Sequence, residues 1–228
     1  MALSETKSTC DRMKASLDFM THAGPRLVSR QPAIQKSWVA LTMNHFCIII
    51  DSQRGYSRLD RCLEAVAHAG NTISGPVDIV VIVDKARARI VTLAERHNAQ
   101  LLERSGGTRG QRYNACANRT QANTLVFIDS FVELPAGWLA WAERAMYERR
   151  WDAVALTMLS ALKPGWLARI FHSSTDTMAL SIKRNWFERV GGFDADREYG
   201  SESDLLARLS ACHARVLNQA PEGNRAAG

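Results

Sequence analysis

From Phe46 onward the chain alternates short apolar runs with amphipathic stretches. FCIII has the length of a strand and ends in polar DSQRGYS, after which LDRCLEAVAHA places Leu59, Leu63, Val66 and Ala67 on one helical face. Asn71 to Pro76 reads as a turn. DIVVIVD is apolar almost throughout, as expected for a strand of a parallel sheet covered on both faces. The alternation continues with a helix over Arg87 to His97, a strand over Gln100 to Glu103, a glycine-bearing loop SGGTRGQ and a helix through Tyr113 to Gln121. NTLVFIDS is a further strand, and Pro135 to Arg149 a helix with proline in its first turn. WDAVALTML is strand-like. Beyond the break at Lys163-Pro164-Gly165 come a helix over Lys183 to Val190, a GGF turn and a last helix over Ser203 to Ala211. This order predicts an α/β domain whose mainly parallel central sheet is flanked by helices and joined by right-handed crossovers.

The flanks divide the chain further. Residues 1–44 are expected to form an N-terminal helical extension, with a helix from Thr6 to Thr21 carrying Met13, Leu17 and Met20 at helical spacing. Residues 45–217 form the α/β domain, and 218–228 a flexible tail.

Composition narrows the function classes. Of the 228 residues, 46% are hydrophobic and 23% charged, which excludes wholesale disorder. No apolar run approaches the roughly 20 residues needed to span a bilayer. The five cysteines are scattered without a C-x-x-C pair. That argues against a disulfide framework or a zinc site and for reduced thiols in a cytoplasmic setting. Cys47 and Cys116 lie among apolar neighbours and read as core. The net charge of +6 is compatible with a polyanion, an anionic lipid surface or a phosphate-bearing small molecule. The basic residues are spread, not interleaved with aromatics, so nucleic acid is disfavoured as a partner.

Candidate chemistry begins at the strand ends. Three predicted strands finish in a carboxylate, at Asp51, Asp84 and Asp129, and ligands of open parallel sheets bind at that rim. Such carboxylates can cap a helix, accept hydrogen bonds from a ribose or base, or hold a divalent cation.

Several stretches are similar to GT-A-type glycosyltransferases of family 2, over about Phe46 to Val216. Asp84 matches the acid that ends the second strand, and Asn114 in RGQRYNACANRTQA matches the asparagine of an N-A-G-type core. FIDSFVELPAGWL resembles the Asp-x-Asp motif with its Leu-Pro-x-x-Trp helix start, Asp129 being the first acid. VGGFDADREYGSESDLLARL resembles the Gly-Gly-Phe and acidic stretch, with Gly191, Gly192, Phe193, Glu202 and Asp204 in place. The RGQRYNA and LPAGW wording is closest to a small bacterial subgroup.

The resemblance implies a nucleoside-diphosphate-sugar donor, an unidentified acceptor hydroxyl, inverting transfer and a carboxylate base. Glu202 would be that base and Asp204 its support. Asp51, Asp84, Arg109, Arg112, Asn114 and Asp129 would bind the donor, and Asp176 and Trp166 would lie on the acceptor side. A Mg or Mn ion is implied at Asp129, with His172 a second candidate ligand. The segment around Trp166, with Lys163 and Arg169, could equally rest on the inner face of a membrane.

Departures from the family pattern bear on activity. Phe131 stands where the second acid of Asp-x-Asp is expected, and phenylalanine offers a hard cation no oxygen. Lys85 follows Asp84 where a second acid is usual, Ser201 replaces a glutamate, and Glu202 replaces an aspartate. These losses fit an alternative: a degenerate relative that binds a nucleotide or a protein partner without turnover.

Overall fold

A computed structural model of the chain describes residues 44–53, 56–158 and 176–219. The strands are β1 (Phe46–Asp51), β2 (Val77–Val83), β3 (Ala99–Glu103), β4 (Thr124–Asp129), β5 (Ala153–Met158), β6 (Asp176–Lys183) and β7 (Val216–Gln219). The helices are α1 (Leu59–Gly70), α2 (Ala88–Arg96), α3 (Arg109–Ala117), α4 (Trp138–Tyr147), α5 (Arg184–Arg189) and α6 (Ser201–Ala211). β7 takes in Asn218 and Gln219, which the sequence reading assigned to the tail. The expected helix over Thr6 to Thr21 lies outside the described residues, as do Trp166 and His172.

The strands form one seven-stranded sheet in the order β3-β2-β1-β4-β6-β5-β7. Only β6 runs antiparallel to its neighbours. The strand order reverses between β1 and β4, which pair in parallel with Asp51 opposite Asp129. A crevice opens at the carboxyl ends of the strands wherever the order reverses, because successive crossovers there leave in opposite directions.

Both faces of the sheet are covered, which explains the uninterrupted apolar runs. Phe46, Ile48 and Ile50 point toward α1, α2 and α4, together with Val81, Val126 and Ile128. Cys47 and Ile49 point to the opposite face, where Tyr113 and Cys116 of α3, Phe187 of α5 and Leu205 and Leu209 of α6 close the core. An aromatic cluster fixes α3 there. Tyr113 and Phe127 each pack against Phe193, at ring-centroid distances of 5.1 and 4.7 Å.

The buried cysteines are packing groups. Burial pushes the thiols of Cys47 and Cys62 up to about 12 and that of Cys116 well above its ordinary value. None is a thiolate near neutral pH, so none is a nucleophile.

Candidate active site at the carboxyl rim of the sheet

The site is organised by α3, and its start was misread from the sequence. The glycine loop suggested a helix beginning near Tyr113, but α3 begins at Arg109. The reason is a capping box. The Thr108 hydroxyl accepts from the Gln111 N–H at 3.2 Å, and the Gln111 side chain accepts from the Thr108 N–H, also at 3.2 Å. Thr-x-x-Gln was the signal available in the sequence. This early start puts Arg109, Arg112 and Tyr113 at i, i+3 and i+4, on one face of the first turns.

That face meets the two strand-end acids. Arg112 donates to Asp51 Oδ2 from Nη2 at 2.6 Å and from Nε at 3.2 Å, and to the Gly107 carbonyl at 2.7 Å. The two side chains are 4% and 1% exposed. Both were expected to bind the donor; here they form a closed ion pair that holds the loop before α3 against β1.

Arg109 does something different. Its Nη1 donates to Asp129 Oδ2 at 2.8 Å, and its Nη2 lies 2.7 Å from Glu202 Oε1. Nη2 also donates to the Tyr113 hydroxyl at 3.0 Å, and that hydroxyl donates to the Ile128 carbonyl at 3.1 Å. One guanidinium thus joins the end of β4 to the first turn of α6. Asp129 and Glu202, 78 and 151 residues after Asp51 in chain order, become neighbours through it.

Burial by itself would favour loss of the Arg109 proton. Tyr113 and the carboxylates Glu202, Asp129 and Asp51 outweigh it and hold the guanidinium above its ordinary value. Arg109 is therefore a permanent cation. Burial raises the Tyr113 phenol well above its usual value, so it stays protonated despite the opposing pull of Arg109.

Glu198, which the sequence reading passed over, completes the group. Its Oε2 accepts from the Arg109 backbone N–H at 2.8 Å, and its Oε1 lies 3.6 Å from Arg112 Nη2. A carboxylate at the start of a helix meets both unpaired N–H groups and the positive end of the dipole. Its signal was an acid in a glycine-flanked loop, which proximity in sequence could not connect to α3.

Other expected site residues are placed elsewhere. Asn114 was assigned to the donor, but its amide is engaged by the GGF turn. Oδ1 accepts from Phe193 N–H at 2.9 Å and Nδ2 donates to its carbonyl at 2.8 Å. Gly192 at φ +71° passes so close that an added Cβ would lie 2.7 Å from Asn114 Oδ1. Asp204 pairs with Arg208 at 2.8 Å and approaches Arg197 at 3.7 Å, away from Arg109. Two residues on from Glu202 along α6, it points to another side of the helix. Asp84 is exposed beyond β2, and its backbone N–H donates to the Tyr56 hydroxyl at 3.3 Å. It shares the rim but no contact with the Arg109 group. Asp176 opens β6, opposite Met158.

The residues present do not fit a divalent cation at Asp129. Oδ2 is held by Arg109, and Oδ1 accepts from the Phe131 N–H at 3.1 Å. Phe131 itself is 39% exposed and brings no oxygen. Among the described residues no group of three or more His, Cys, Asp or Glu side chains stands together as a metal site. Arg109 contacts both Asp129 and Glu202, which keeps a positive charge at these carboxylates.

No protein-family profile matches the chain, and no curated protein matches it in sequence. Solved structures do. The fold is that of the GT-A nucleotide-sugar transferases. The mannosyltransferase PcManGT from Pyrobaculum calidifontis, solved with GDP-Man and Mn2+, aligns with a TM-score of 0.60 at 14% identity, covering 97% of this chain and 66% of that one. Glucosyl-3-phosphoglycerate synthase from Mycobacterium tuberculosis, solved with phosphoglyceric acid, gives 0.58 at 13% identity over 83% of this chain and 75% of that one. S. aureus TarS 1-349 gives 0.56 at 14% identity, covering 77% of this chain and 58% of that one. This chain therefore spans just under two thirds of the mannosyltransferase and less of TarS. At such identity the GT-A likeness is one of fold. No helix among the described residues is long and apolar enough to cross a membrane.

Proposed function

We propose that this chain is a family-2-type glycosyltransferase that moves a sugar from a nucleoside-diphosphate-sugar donor to an acceptor hydroxyl with inversion. The observation that carries the reading is the Arg109 bridge, which sets Asp129 and Glu202 together where the strand order reverses. Arg109 takes one oxygen of Glu202 and orients the carboxylate, and the other oxygen makes no hydrogen bond among the described residues. That oxygen takes the acceptor proton. The acceptor oxygen then bonds to the anomeric carbon from the side opposite the diphosphate, which departs with the electron pair of the broken carbon–oxygen bond. Asp129 lies alongside to accept from a donor hydroxyl. Asp84 and Lys85, both exposed at the end of β2, are the groups left free for the nucleoside and the diphosphate. Lys85 supplies a cation where Phe131 removes a metal ligand. The neighbours solved with Mn2+ support the donor class, while the residues here route no step through a metal.

The test is thermal stabilisation by UDP and GDP, each with Mn2+ or with EDTA, followed by a donor panel scored for transfer and hydrolysis. Stabilisation that survives EDTA, with turnover lost in Glu202→Gln, is the expected result. Failure of every nucleoside diphosphate to stabilise the chain would overturn the reading.

A second reading has its own support. Asp51 is closed off by Arg112, Asn114 by the GGF turn and Phe131 is apolar, so much of the expected donor contact set is engaged internally. A nucleotide-binding protein without turnover would show the same stabilisation and no product from any donor.

A further inference from the structure

We infer that the groove between α1 and α2 is a second site, which binds a phosphate-bearing ligand with an apolar portion. It is separate from the Arg109 group and does not depend on the transferase reading. The groove encloses a cavity of about 670 Å³. Its apolar wall comes from Leu59, Ile90 and Leu93, and its polar wall from four arginines, Arg61, Arg87, Arg89 and Arg96, against a single acid, Asp60.

The charges in the groove are poorly compensated. Asp60 is shared between Arg96 and His97, each at 3.3 Å. Arg61 has only Glu133, at 4.0 Å, and both side chains are more than half exposed. Arg87 and Arg89 are exposed, and their side chains have no partner among the described residues. The start of α2 adds to this. Its N-cap, Arg87, offers no side-chain cap and its first turn holds no acid; the carboxylate nearest in contact, Glu103, accepts from the Ala86 N–H just before the helix and is not among the groove residues. Like charges gathered in one concave, partly apolar surface raise one another's energy, and a bound anion removes that penalty.

The ligand class follows from the donors. Guanidinium groups match phosphate oxygens bidentately, which a carboxylate-sized or monatomic anion would use less fully. The apolar wall gives room for a non-phosphate part of the molecule. Tyr56 lines the groove and its hydroxyl accepts from the Asp84 N–H, so an occupant would lie beside the tip of β2. The phosphate could belong to a soluble phosphorylated compound or to a lipid headgroup.

The test measures the full chain against Arg87→Ala/Arg89→Ala, two exposed and unpaired positions whose loss leaves the core intact. Inorganic pyrophosphate and vesicles of phosphatidylcholine with or without phosphatidylglycerol are the probes. Pyrophosphate affinity by calorimetry should fall roughly tenfold or more in the double variant, since each charge-assisted contact contributes about one such factor. Vesicle binding that requires phosphatidylglycerol and is lost in the variant assigns the phosphate to a lipid headgroup; pyrophosphate binding without it assigns a soluble ligand. Binding of neither probe, or binding unaltered in the variant, would overturn the inference.

Discussion

Asp51 and Asp129 stand side by side in register at the ends of β1 and β4, yet each is held by a different arginine of the same helix turn. Arg112 closes over Asp51 and buries it. Arg109 reaches Asp129 and continues to Glu202. Two neighbouring acids of the same type therefore have different tasks, one holding the fold and the other building the rim.

Arg109 is expected to carry both stability and site geometry. Arg109→Ala leaves Asp129 and Glu202 facing each other without their shared cation, and should cost about 3 kcal/mol, the lower end for a broken buried pair. Arg109→Lys keeps the charge but cannot bridge two carboxylates with a planar fork, and should recover only part of that loss. Urea denaturation of the three proteins measures this. A near-neutral Arg109→Ala would show that the bridge is not formed in solution.

The Asp51–Arg112 pair should behave as a coupled unit. Asp51→Asn and Arg112→Met each strand a buried charge or its partner and should destabilise by about 3–5 kcal/mol. The double variant should be less damaged than the sum of the two, because neither charge is then left alone. Additive losses in a double-mutant cycle would contradict the pairing.

Alkaline stability should fall early. Thiols ionise in the unfolded chain near their ordinary value of 9.0, whereas Cys47 and Cys62 hold their protons up to about 12 in the folded one. Above pH 9 the unfolded state binds fewer protons than the native state, so unfolding becomes easier as pH rises. The stabilisation is complete below about pH 9 and is lost as pH climbs toward 12, at about 1.4 kcal/mol per pH unit for each thiol. Urea midpoints across that range, with Cys47→Ala/Cys62→Ala as the reference, should show the slope shrink in the variant. An equal slope in both proteins would place the loss in other groups.

Much of the fold was legible in the sequence because its main signals are local. FCIII, DIVVIVD and TLVFID are strands because apolar residues on both faces require a covered sheet. LDRCLEAVAHA is a helix because its apolar residues share one face. The start of α3 was also local, written in Thr108 and Gln111, and was passed over because the glycines before it pointed to a loop. Expecting a nucleotide-sugar transferase fold from the order of motifs was correct, since those motifs mark strand ends and turns that the fold needs.

The sequence alone determined strands β1 to β5 and the run of helices, that Cys47 and Cys116 are core, and that acids would gather at one rim of an α/β sheet; β6, β7 and the burial of Cys62 were not read from it. Only the tertiary structure decided what each polar side chain there faces: Asp51 closed by Arg112, Asn114 turned to Phe193, Asp204 to Arg208, and Arg109 shared by Asp129 and Glu202. The physical reason is range. Apolar periodicity acts between residues a turn apart, whereas an ion pair forms wherever strand register and helix packing bring opposite charges within about 4 Å, however far apart they lie along the chain.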